Sequence, residues 1–225
     1  MIIYFTGIDG SGKSTLAKNL VDTAFKGKET RIIWARYQPN IVKKILSPFK
    51  KNYITNKAND HLMNAEELSR WNIFKRKVTK NLLLSKTVYF LQAFDYYLQI
   101  LKIVKTIKNK ETIIFDRYIL DFIVDQSVNY GNISRRLITI FLLKKLNVID
   151  FIFYIDVNEH IALGRKKDIP SIEYFQNKRQ YYKLYVSKLI NAHIINNEMN
   201  ISMALKEIEE IINLKRNNDS FYPGH

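Results

Sequence analysis

Apolar and polar positions change their period several times along the chain. Apolar runs of strand length stand at Ile2–Phe5, Arg31–Ala35, Thr112–Phe115 and Phe151–Ile155, with a weaker one at His193–Asn196. The stretches between them carry apolar residues at helical spacing. They are Lys13–Phe25, Ala65–Lys108 (two helices, the second long), Asp121–Asn129, Arg135–Leu146, the short Glu159–Lys166, Ser171–Leu189 and Ile201–Leu214. In the last of these, Ile208, Ile211 and Ile212 make an apolar stripe. Strands alternating with helices predict a parallel sheet with crossover helices. Each strand ends beside a polar or flexible residue: Gly7, Arg36, Asp116, Asp156 and Asn197. Ligands of open parallel sheets sit beyond the carboxyl ends of the strands, so these residues are expected to line one crevice.

Length and composition narrow the picture. At 225 residues the chain suits one domain with a full core. We expect that domain to span residues 1–214, with 215–225 as a loose tail. There are no cysteines, which excludes a disulfide framework and thiolate chemistry and fits a reducing, cytoplasmic location. The opening MIIYFTG reads as a strand rather than a secretory leader. The most apolar region, Asn81 to Ile107, is interrupted by Lys86, Asp95, Lys102 and Lys105, so it reads as a half-buried helix and no transmembrane segment is expected. The net charge of +15 favours anionic partners such as nucleotides or nucleic acid, and equally fits a lysine-rich solvated surface.

The candidate chemistry begins directly after the first strand. Gly7-Ile8-Asp9-Gly10-Ser11-Gly12-Lys13-Ser14, followed by Thr15, satisfies G-x-x-x-x-G-K-S. Glycines let the backbone turn so that successive amides surround phosphate oxygens, and the following helix adds its positive end. In such a loop Lys13 reaches the outer phosphates of a nucleotide and Ser14 offers its hydroxyl to Mg2+. The guanine-reading N-K-x-D is missing: NKAN, NKET and NKRQ, at Asn56, Asn109 and Asn177, all lack the final aspartate. A second signal is Phe115-Asp116-Arg117-Tyr118 at the end of a strand. There Asp116 can hold a metal's water shell and Arg117 can grip a phosphate bidentately.

GIDGSGKST together with FDRY resembles the thymidylate kinase family of P-loop nucleoside monophosphate kinases, over Met1 to about Leu214. The resemblance implies an α/β fold of three layers, a five-stranded parallel sheet in order 2-3-1-4-5 with helices on both faces. It implies ATP and Mg2+ as cofactors, a small-molecule acceptor, and transfer of the ATP γ-phosphoryl to a nucleoside monophosphate, dTMP to dTDP foremost. By the same resemblance Asp9 faces the acceptor sugar and metal region, while Arg117 holds the acceptor phosphate. Arg36 matches the family's second acceptor-phosphate arginine loosely. Arg165, with Lys166 or Lys167, belongs to a short basic lid at about residues 164–172. Asn196-Asn197 resembles the turn where adenine rests, and the apolar helix around Phe90–Leu101 could serve a homodimer.

The chain departs from that family on the acceptor side. Thr6 stands where a glutamate is common, and Tyr96 stands in place of the arginine that reads thymine. Asp121 and Asp125 replace a serine and a tyrosine, and only Gln126 of that set remains. The two carboxylates read as surface charges, as sugar contacts, or as a salt bridge to a basic segment. A kinase of the same fold with a different nucleotide, nucleoside or metabolite acceptor is therefore an alternative. A nucleotide- or nucleic-acid-binding module with little turnover is another. The histidines His61, His160, His193 and His225 have no metal spacing. Tyr174, Phe175, Tyr181, Tyr182 and Tyr185 read as helix packing rather than a stacking platform, with Lys178 and Arg179 as minor helpers of the lid. The basic stretch Lys43–Lys57 could bind nucleic acid, while the resemblance implies a loop over the acceptor pocket.

Overall fold

The computed structural model describes residues 1–44, 81–108, 111–165 and 172–221. Five parallel strands form one sheet in the order β2-β3-β1-β4-β5: β1 Ile2–Thr6, β2 Thr30–Ile33, β3 Thr112–Asp116, β4 Phe151–Asp156 and β5 Ala192–Asn196. The register brings Phe5 beside Asp116 and Phe153, and Asp156 beside Asn196, so the carboxyl ends lie at one rim. The strand order is the one that the family resemblance implies.

The described residues fall into two compact units, Met1–Arg36 with Thr106–Val128 and Asn132–His225, and Tyr37–Lys105 with Asn129–Gly131. In the first unit the period of 2 along the strands sends alternate side chains to opposite faces. Ile3, Phe5, Phe153, Ile155 and Ile195 form the core of one face with Leu16, Leu20, Ile208 and Ile212. Those last four come from α1, Lys13–Thr23, and the terminal helix Ile201–Phe221. On the other face Tyr4 meets Tyr118 edge-on at 5.8 Å and Tyr154 stacks on Tyr182 at 5.5 Å. These partners belong to the segment opening α3, Ile119–Tyr130, and to α6, Ile172–Val186. Between these lie α4, Leu137–Lys144, a 3-10 turn at Lys145–Val148, and α5, Glu159–Arg165. The terminal helix, α7, continues to Phe221 and so makes residues 215–221 helical, past the boundary expected at Leu214.

The second unit contains α2, Leu82–Val104, started by Asn81, whose side chain accepts from the Leu84 amide at 3.0 Å. Asp95 is buried and accepts from the amides of Asn40, Ile41 and Val42 at 2.9, 3.0 and 3.3 Å. It thereby caps the helical start at residues 41–44 from another helix, doing what a local N-cap side chain would do. One of the four charges that break the apolar pattern of this region, Asp95, thus has a structural partner. Among the described residues no helix is long and apolar enough to cross a membrane. The expected first helix from Ala65, the basic residues Lys50, Lys51 and Lys57, and Lys166 and Lys167 lie outside the described residues.

Candidate functional site

The loop between β1 and α1 turns through left-handed backbone at Gly7, Gly10 and Gly12, with φ of 142°, 81° and 92°. Close approach adds to the requirement. A Cβ on Gly7 would stand 2.6 Å from the carbonyl oxygen of Ile155, and one on Gly10 would stand 2.5 Å from that of Ala162. Gly12 is the N-cap of α1 and has no side chain to satisfy the helix's first amides, so they remain suited to an anion. Lys13 is buried and curls back over the loop, donating to the carbonyls of Gly7 at 2.8 Å and Ile8 at 2.6 Å and to Ser11 Oγ at 3.2 Å. Burial, then the charge of Arg117, lowers its pKa to about 8. Asn197, at the end of β5, donates to the Ser11 carbonyl at 2.8 Å and braces the loop from behind.

The end of β3 meets this loop. Ser14 Oγ donates to Asp116 Oδ2 at 2.6 Å, while the buried Oδ1 has no partner among the described residues. A hydroxyl and a carboxylate with one open oxygen are hard donors. They fit Mg2+, which commonly rests on one or two such groups and otherwise on water and substrate phosphates.

Arg117 follows in left-handed backbone with φ 69°, unusual for a residue with a side chain. Its amide donates to Phe5 O at 3.4 Å and its carbonyl accepts from Ala35 N at 3.3 Å, so neighbouring strand ends hold the turn. Its guanidinium pairs with Asp9 of the loop, and its Nη1 lies 4.0 Å from Asp121 Oδ1. Burial would raise the Asp9 carboxyl, but Lys178, Arg117 and Lys13 together hold it well below the usual carboxylate range. Burial opposes the charge of Arg117, and Asp121 and Asp9 overcome it, so the guanidinium stays charged.

The surface reading of Asp121 is corrected here: the side chain is 2% exposed. It stands in the first turn of α3 and reaches back to the Tyr118 amide at 3.0 Å, the acidic half of a capping box. It also accepts from the hydroxyls of Tyr4 at 2.5 Å and Tyr182 at 2.8 Å. Burial, then the charge of Asp121, pushes the Tyr182 hydroxyl well above its ordinary value. Asp125 makes the helix–helix salt bridge, with Lys178 Nζ at 2.6 Å. Lys178 on α6 is fully buried and also stands 3.6 Å from Asp9 Oδ2. Arg179 grips Asp156 with Nε at 2.6 Å and Nη2 at 3.1 Å, and Glu159 at 3.1 Å, fixing α6 and α5 to the end of β4.

Arg165 donates to the carbonyls of Gly10, Asn197 and Glu198 at 3.5, 3.1 and 3.3 Å, which sets it against the loop. Thr15 is exposed on α1. Gln126 is buried on α3, and its Oε1 has no partner among the described residues. Arg36 is exposed just beyond β2. Tyr96 belongs to the second unit, where it is buried with its ring edge-on to Tyr37 at 5.6 Å. Phe175, Tyr182 and Tyr185 are buried in the packing of α6, as their spacing suggests. Reading the chain alone misses the supporting roles of Tyr4, Tyr182, Asn197 and Lys178. The available signals were the polar ends of β1 and β5 and a lysine inside an aromatic helical stretch.

No family model and no curated protein matches the sequence. Solved structures do match the fold. A thymidylate kinase from Candida albicans, whose structure is described as revealing the origin of a broad substrate specificity, is 16% identical with a TM-score of 0.60, over 96% of this chain and 92% of its own. A deoxyadenosine kinase from M. mycoides, solved with the products dCMP and dCDP, is 17% identical with a TM-score of 0.54, over 95% and 98%. A thymidylate kinase from Ehrlichia chaffeensis is 19% identical with a TM-score of 0.55, over 95% and 98%. The five-stranded sheet in order 2-3-1-4-5 is the P-loop kinase fold of these neighbours.

Proposed function

We propose that this chain is a nucleoside monophosphate kinase that uses ATP and Mg2+, with dTMP to dTDP as the leading reaction. The observation that carries the reading is the meeting of two distant segments. The glycine loop with its buried Lys13 lies against Asp116 and Arg117, through Ser14–Asp116 at 2.6 Å and the Asp9–Arg117 pair. A loop that suits a polyphosphate is thereby set beside a guanidinium that suits a second phosphate.

In this reading the loop amides and the first turn of α1 hold the ATP phosphates, and Lys13 leaves the carbonyls of Gly7 and Ile8 for the outer phosphates. The polyphosphate's negative charge keeps Lys13 an ammonium despite its lowered pKa. Ser14 and Asp116 would hold Mg2+, which neutralises charge on the phosphate oxygens. Arg117 grips the acceptor's phosphate and aims one of its oxygens at the γ-phosphorus. That oxygen forms the new bond as the bridge to the β-phosphate breaks and ADP leaves. In this reading Arg165 leaves its carbonyl partners at the loop and turns toward the moving group. Positioning and fixed charge do the work, and no protein nucleophile is needed.

The acceptor-side departures favour a second reading within the same fold, a kinase of another deoxynucleotide or of a nucleoside, such as the deoxyadenosine kinase neighbour acts on. One experiment separates the readings. A panel of nucleoside monophosphates and nucleosides, scored by ADP formation with ATP and Mg2+, is expected to give its highest turnover with dTMP. A maximum at another acceptor moves the label. ATP binding without acceptor-dependent ADP release with any acceptor refutes the kinase reading and leaves a binding module.

A further inference from the structure

Lys178 is an ammonium with 0% exposure, set between two carboxylates of different elements. Asp125 Oδ1 of α3 is 2.6 Å away, and Asp9 Oδ2 of the phosphate loop is 3.6 Å away. Asp9 is itself shared, because its other oxygen pairs with Arg117. Lys178 Nζ is close enough to Asp125 for a charge-assisted contact, while Arg117 Nη1 has no hydrogen-bond partner among the described residues.

We infer that Lys178 is a positioning residue for the anionic group of the acceptor, taking over the Asp9 carboxylate when that anion claims Arg117. The inference rests on the nucleoside monophosphate reading. A bidentate grip on the acceptor's anion needs more than the open Nη1, so it draws Arg117 away from Asp9, which pairs with Nη2. Displacing Asp9 outright would strand a carboxylate in a buried place, which is strongly unfavourable. Lys178 supplies the alternative counter-charge on the side of the other Asp9 oxygen. Asp121 takes no part in the exchange, because two tyrosine hydroxyls and an amide already satisfy it. Before the exchange Arg117 holds Asp9 and Lys178 holds Asp125. Afterwards Arg117 holds the incoming anion and Lys178 holds both carboxylates, so every charge keeps a partner. Without Lys178, Asp9 loses the cation beside its other oxygen and keeps its hold on Arg117.

The test replaces the pair with apolar groups of similar size, Lys178→Met with Asp125→Leu, an exchange that buried ion pairs often tolerate without loss of stability. Thermal melting checks the fold. Calorimetry then measures dTMP, thymidine and ATP separately, with the other nucleoside monophosphates in parallel. Binding of dTMP should weaken at least about tenfold, the worth of a charge-assisted hydrogen bond, while thymidine and ATP change by less than about twofold. In an Asp9→Asn background, which has no Asp9 carboxylate to rehouse, the same double replacement should weaken dTMP no further. Unchanged dTMP affinity in the double variant, an equal loss for thymidine, or a full loss in the Asp9→Asn background overturns the inference. If the wild type binds monophosphates and forms no ADP, the kinase reading fails and the affinity ratios still decide the role of Lys178. If it binds no monophosphate, both fail.

Discussion

Gly10→Ala isolates the steric demand of the phosphate loop, provided it is compared with Gly27→Ala. Both positions have left-handed backbone, φ 81° and 77°, so both variants carry the same conformational penalty. That penalty is about 1–2 kcal/mol for an L residue, and alanine's smaller unfolded-state freedom offsets part of it. At Gly27 nothing lies within 4 Å of the added carbon. At Gly10 it would stand 2.5 Å from the backbone oxygen of Ala162, where ordinary contact begins at 3.4 Å, so about 0.9 Å must be opened between the loop and α5. Backbone cannot rotate away as a side chain does. Gly27→Ala should therefore cost about 1 kcal/mol in urea unfolding. Gly10→Ala should cost about 2–4 kcal/mol and weaken ATP binding by more than about tenfold, as measured by calorimetry. Equal unfolding free energies for the two variants would refute the argument, since the packed carbonyl would then impose nothing.

Two further outcomes follow from the buried charges. Tyr182→Phe removes a hydroxyl that donates to the buried Asp121 carboxylate at 2.8 Å, and should cost about 1.5–3 kcal/mol in denaturant unfolding. A neutral result would mean that the carboxylate finds another donor. Lys13 has a folded pKa of about 8 against 10.5 when unfolded, so the unfolded chain binds more protons between those values. In the nucleotide-free protein the stability of wild type relative to Lys13→Met should accordingly rise as pH goes from 8 to 10.5, and a flat or falling difference would contradict the burial of that ammonium.

The glycine loop, its strand and its helix were legible because their signals are local. Glycine spacing, an apolar run and a helical stripe all lie within the first two dozen residues. The remaining strands were found for the same reason, with ends shifted by a residue or two. The terminal helix ran longer than its stripe, because α7 continues beyond the residues that the core buries. Asp121 was harder to read. An aspartate in a first helical turn suits a surface cap and a buried acceptor equally well. Only the approach of Tyr4 and Tyr182 from β1 and α6 decides between them.

The sequence by itself determined the alternation of strand and helix, the phosphate-loop geometry and the Asp116–Arg117 signal. These depend on backbone sterics and short-range periodicity, which neighbouring residues carry. Tertiary structure alone decided that Arg117 faces Asp9, that Lys178 is buried between Asp9 and Asp125, and that Asp95 caps a helix it does not belong to. The energy of a charge depends on its burial and on which opposite charge lies within a few ångströms. Both are set by elements far apart in the chain, and no local pattern encodes them.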